Sequence, residues 1–196
     1  MASSGPNSPG TMADDATVGT VAWSNPDNAK VEDGAYAICG IASIVTYHYL
    51  KATNFGFSIP TGATINGIKI EIKQYETDGS VTDNVVKIVK ADGTYGTENK
   101  AIGGGWVDGV NAYVTYGGVS DLWSETWTAE DINDADFGVG ISVIAGAYSA
   151  GYLDHIRITV YYTETSGTRL VAAGRAVASG RAVATGRLTA GTRRLI

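Results

Sequence analysis

The clearest alternation of apolar and polar residues runs from Ile65 to Tyr75. Ile68, Ile70 and Ile72 alternate there with Lys69, Glu71 and Lys73. A period of two puts the isoleucines on one face of an extended chain and predicts a half-buried strand. The same period appears in His155 to Thr163, where Ile156, Ile158, Val160 and Tyr162 alternate with Arg157, Thr159 and Tyr161. Phe137 to Ala147 reads as a strand with Phe137, Val139, Ile141 and Val143 on one face, and Val81 to Lys90 as another with Val86 and Ile88 opposed to Lys87. Less regular runs at Thr17 to Trp23, Ala35 to Leu50, Tyr95 to Ile102, Tyr113 to Tyr116 and Leu122 to Trp127 predict further strands. Asn25-Pro26, Asp33-Gly34, Asp78-Gly79 and Asp92-Gly93 are turn pairs between them. One helical turn is predicted over residues 129–134, after the N-cap residue Thr128. About eight or nine strands with almost no helix predict an all-β chain, a jelly-roll-like antiparallel β-sandwich over residues 17–166.

A different pattern fills residues 167–196. Arg169, Arg175, Arg181, Arg187 and Arg193 recur every six residues. Gly174, Gly180 and Gly186 precede three of them, and Val171, Val177 and Val183 follow the first three two residues later. An even period keeps every arginine on one face of an extended chain, whereas a helix would scatter them. The repeat therefore predicts an extended C-terminal tail. Its small apolar residues bury too little surface to order it alone, so it is expected to serve assembly. An intertwined homotrimeric stem is the favoured layout. The competing one lays each tail across a neighbour's acidic surface. Residues 1–16, rich in Ser, Gly, Pro and Asn, are expected to form an extended N-terminal arm.

Charge sharpens that division. The chain is 196 residues long with a net charge of −6, yet its tail carries six of the seven arginines and no acid. Evenly spaced arginines among small apolar residues suit protein docking better than the dense basic blocks of nucleic-acid arms, so nucleic acid is an unlikely partner. The single cysteine, Cys39, excludes an intramolecular disulfide and sits in an apolar run. No apolar run approaches the ~18 residues of a membrane span. Residues 1–15 have neither the basic start nor the apolar stretch of a secretory leader, so a cytoplasmic origin is expected.

Candidate chemistry is sparse. No GxSxG pattern is present, and His48 and His155 both read as ordinary strand residues, so no catalytic residue and no cofactor is expected. Gly103-Gly104-Gly105 is not followed by the Lys-Ser/Thr of a phosphate loop. Asp27, Asn28, Glu32 and Asp33 supply calcium-type oxygen donors in one loop, but solvated turn residues are the better reading than a metal site. Trp106, Tyr113, Tyr116, Trp123 and Trp127 cluster within 22 residues. Core or subunit interface is the first reading for these aromatics, and a sugar-stacking platform the second.

Three stretches, ATNFGFSIPTGATINGIKIEIK (52–73), LWSETWTAEDINDADFGVGISV (122–143) and DHIRITVYYT (154–163), resemble a β-sandwich module of tailed-bacteriophage virion proteins. The resemblance implies a non-enzymatic structural role as a decoration, fibre or tail component. It also implies virion proteins as partners and a virion location after assembly in the host cytoplasm. Two other readings stand beside it. One is a carbohydrate-binding or adhesin module that takes a glycan. The other is a filament subunit joined by strand addition.

Overall fold

The architecture is described from a computed structural model over residues 1–40 and 43–165. The arginine repeat at 169–193, with its glycines and valines, lies outside the described residues.

The chain forms an all-β, two-sheet antiparallel sandwich of jelly-roll type. Its strands are β1 (Ala2–Asn7), β2 (Thr11–Asp15), β3 (Ala37–Cys39), β4 (Val45–Thr46), β5 (Tyr49–Thr53), β6 (Thr64–Thr77), β7 (Val81–Val89), β8 (Ala112–Gly117), β9 (Gly138–Ala145) and β10 (Ala150–Thr163). One sheet has the order β1-β10-β6-β8, with β3 beside β1 along the same edge of β10. The other has the order β2-β5-β9, with β4 extending the β5 edge of β9 and β7 on its far side. The long antiparallel pair β6 and β10 forms the spine of the first sheet, from Ala150 opposite Thr77 to Thr163 opposite Thr64.

Alternation along these strands builds the core. Ile68, Ile70 and Ile72 of β6 and Ile156, Ile158 and Val160 of β10 are fully buried, facing Val139, Ile141 and Val143 of β9 and Val86 and Ile88 of β7. Trp123 fills the sandwich beside β8, and its indole N–H donates to the Ile68 carbonyl at 3.0 Å. Gly117 permits this, since a Cβ there would stand 2.6 Å from the indole nitrogen. Gly138 is equally constrained, because a Cβ would sit 1.9 Å from the Ala52 carbonyl oxygen and break the β5–β9 pairing.

The structure corrects several sequence expectations. Residues 1–16 are not an arm: β1 completes one sheet and β2 the other. The Ser/Gly/Pro composition hides them because edge pairing overrides weak strand propensity, and Pro6 is tolerated on an edge strand. The run from Ala35 to Leu50 contains β3, β4 and the start of β5 rather than one or two longer strands. Segments 17–23, 95–102 and 122–127 contain no strand beyond isolated bridges at Val21 and Tyr95. Side chains and single backbone bonds hold the second of them instead: Asn99 accepts from the Val86 and Ala101 amides, Glu125 from the Thr97 amide, and the Gly96 and Lys100 amides donate to the Ile88 and Val86 carbonyls. Trp123 and Ser124 take left-handed conformations (φ +58° and +55°) that no strand accommodates. The helical turn appears as α1 (Ala129–Asn133), closed by a reciprocal cap between Thr128 and Asp131. Among the described residues no helix is long and apolar enough to cross a membrane.

Ile70 sits at the centre of the spine, so Ile70→Ala leaves a cavity between the sheets. Equilibrium denaturation should show a loss of about 2–5 kcal/mol.

Candidate functional site

The outward positions of β6, β8 and β10 form a continuous polar face. Register places Lys73 between Tyr113 and His155, and Glu71 between Thr115 and Arg157. Because Ile70 and Ile72 point inward, these neighbours share the opposite face. A one-residue bulge in β10 at Asp154 keeps the alternation in step, setting Tyr152 opposite Tyr75 and His155 opposite Lys73.

At one end of the face stand three half-buried tyrosines. Tyr75 and Tyr152 stack with centroids 4.8 Å apart and planes inclined by 14°. Tyr36, just before β3, meets both edge-on at 5.4 and 5.6 Å. Beyond them lies a network of paired charges. Lys73 Nζ contacts Glu32 Oε1 at 2.6 Å and the buried Asp154 at 3.3 Å. Asp154 also accepts from the Gly34 amide and the Asn111 side chain. Arg157 grips Glu71 with two hydrogen bonds of 3.1 and 3.2 Å and lies 3.8 Å over the Tyr113 ring. Lys69 reaches the same Glu71 carboxylate at 3.0 Å.

These pairings set the charge states. The Glu32 bond raises the Lys73 pKa, and the Lys73 and Tyr113 bonds hold Glu32 below the usual carboxylate range. Burial alone would raise Glu71, but Arg157 and Lys69 outweigh it and keep its pKa low. Burial and the bond to Glu32 push the Tyr113 phenol up to about 12, so it remains a donor. That donor fixes the tautomer of His155. Tyr113 gives its hydroxyl proton to Glu32 at 2.8 Å, so its oxygen accepts from His155 Nδ1 at 2.8 Å. His155 Nε2 then accepts from the Ser8 hydroxyl at 2.8 Å. Burial depresses the imidazole pKa below 6.5, keeping His155 neutral at pH 7.

The aromatic cluster read from the sequence does not form a platform. Trp106 and Tyr116 point inward and both donate to Asp83, at 2.8 Å each. Trp123 is in the core, and Trp127 donates to the Leu122 carbonyl while its ring meets Phe137 edge-on. Only Tyr113 of the five reaches the polar face. Trp127 also borders an open cleft of about 370 Å³ with Lys90, Asp92, Thr126 and Asp131. There Asp92 is committed to the Thr94 turn and Asp131 to the helix cap, while Trp127 is buried.

The four calcium candidates do not converge. Asp27 pairs with Lys30, Asn28 donates to the Tyr36 carbonyl, Asp33 accepts from the Ala35 amide, and Glu32 belongs to the polar face. Among the described residues no three His, Cys, Asp or Glu side chains gather as a metal set. Cys39 is enclosed, with burial pushing its thiol up to about 12. His48 bonds Asp14 at 2.7 Å, on a different part of the molecule from the His155 network. The Ser8 hydroxyl does meet His155 Nε2, but the other ring nitrogen meets the Tyr113 hydroxyl rather than a carboxylate, so among the described residues this histidine is not part of a Ser-His-carboxylate triad.

No family model matches the chain, and no curated protein matches it. Among solved structures it is similar to the carbohydrate-binding module TmCBM61, determined in complex with β-1,4-galactotriose. Identity is 12%, the TM-score is 0.40, and the match covers 76% of this chain and 86% of that one. Likeness at that level transfers no ligand. No family model or curated protein stands behind the tailed-phage virion module expected from the sequence. The virion identity is corrected, and with it the decoration, fibre or tail role, the virion partners and the virion location, while the trimeric stem falls on residues 167–196, outside the described residues.

The depressed imidazole gives a measurable sign. The unfolded chain takes up the His155 proton at a higher pH than the folded protein does. This contribution to stability is thus complete above pH 6.5 and is lost as pH falls through the lower, folded value. Urea unfolding at descending pH should show that decline, and His155→Gln should flatten it.

Proposed function

We propose that the protein is a non-catalytic carbohydrate-binding module that takes a glycan on the outer face of the β1-β10-β6-β8 sheet. The observation that carries this reading is the tyrosine group Tyr36, Tyr75 and Tyr152. Three half-buried aromatic rings stand on a sheet face, beside side chains already held in place by one another. An apolar ring face bordered by polar tips suits a ligand that is itself half apolar and half hydroxyl. The rings are fixed by mutual contact and the charged groups by ion pairs, so little side-chain ordering remains for binding.

A broad glycan array should identify a ligand, and calorimetry should then measure Tyr152→Ala against the native chain. Tyr152 points away from the core, so the variant is expected to keep its fold by circular dichroism. It should bind at least about tenfold more weakly, a difference of ~1.4 kcal/mol. Unchanged affinity in the folded variant would remove the tyrosine group from the site.

A further inference from the structure

The charge bookkeeping of this face restricts its ligand further, given that the face binds a glycan as proposed above. Three cations and three carboxylates meet there, and each cation already contacts a carboxylate: Lys73 with Glu32 and Asp154, Arg157 and Lys69 with Glu71. Tyr113 and His155 are occupied with each other and with Glu32 and Ser8. A uronate or sulfate on a ligand would have to draw a cation from its partner and leave a half-buried carboxylate unpaired, which is unfavourable. A hydroxyl need not. Carboxylate oxygens and ammonium groups have bonding capacity beyond the pairs they make, and a hydroxyl can both give and accept.

The face is also long. Tyr75 and Glu71 lie on the same side of β6, four residues apart, which is about 13 Å along a strand. One sugar ring cannot stack on Tyr75 and Tyr152 while hydrogen-bonding to the Glu71–Arg157 pair. We infer that the site takes an uncharged oligosaccharide of two or more units, stacked at the tyrosine end and hydrogen-bonded at the Glu71–Arg157 end.

The test uses the full chain and calorimetry. Neutral probes are cellotetraose, xylotetraose and β-1,4-galactotetraose with their shorter members down to the monosaccharide. Anionic probes are tetragalacturonate and a sulfated heparin tetrasaccharide. At least one neutral tetrasaccharide should bind at least about tenfold more tightly than either anionic probe and than its own monosaccharide. Its affinity should be nearly unchanged as salt rises from about 0.05 to 0.5 M, since no net ligand charge is being screened. Tighter binding of an anionic probe, falling steeply with salt, would overturn the inference and leave the glycan reading standing. A monosaccharide binding as tightly as its tetrasaccharide would overturn the length argument. No binding to any probe here and none on a broad array would overturn the glycan reading itself, and the inference with it.

Discussion

The antiparallel pairing of β6 with β10 is the constraint on which the rest depends. Inward, it sets Ile68, Ile70 and Ile72 beside Val160, Ile158 and Ile156 and forms one wall of the core. Outward, the same register sets Tyr75 beside Tyr152, Lys73 beside His155, and Glu71 beside Arg157. A slip of one residue would turn the isoleucines to solvent and the charges into the core. Hydrophobic burial therefore fixes the polar face as a by-product. The bulge at Asp154 is one of two places where that rule is adjusted, the other lying at Asn66, between the Tyr161–Gly67 and Tyr162–Ile65 pairs. The first directs Asp154 into a buried position where Lys73, Asn111 and the Gly34 amide meet it.

The inner half of this arrangement was legible in the sequence. Alternation in Ile65 to Tyr75 and His155 to Thr163 marked both strands and the side each would bury, and the sandwich follows from it. The outer half was not. The sequence shows that Lys69, Glu71 and Lys73 share a face, but it does not show which strand lies beside them. The meeting of Glu32, Lys73, Tyr113, His155 and Arg157 draws together residues up to 125 positions apart in the chain. Density of aromatics along the chain marked residues 106–127, for which core or interface was the first reading and a sugar platform the second. There Trp106, Tyr116, Trp123 and Trp127 are buried in the core, as large rings are where two sheets must be filled. The tyrosines that do gather on the surface, Tyr36, Tyr75 and Tyr152, come from three strand regions and leave no local signal.

The edge strands show the same limit. Residues 2–15 have the composition of a linker, yet they pair with β10 and β5 and protect one edge of each sheet. Asp14 supports this placement by accepting from the Trp23 amide and meeting His48. Composition describes what a segment prefers alone, and a waiting sheet edge outweighs that preference. The stretches read as phage-like, 52–73, 122–143 and 154–163, consist mostly of core strands and turns. They reported the sandwich faithfully and carried no information about the face on its outside.

The site's position can be tested directly by amide chemical-shift mapping of the full chain with a bound neutral tetrasaccharide. The expected shifts gather on Tyr36, Tyr75, Tyr113, Tyr152 and Arg157 and on their neighbours in β6, β8 and β10. Shifts confined to the Lys90, Asp92 and Trp127 cleft, or to the sheet of β2, β5 and β9, would contradict a glycan site on this face.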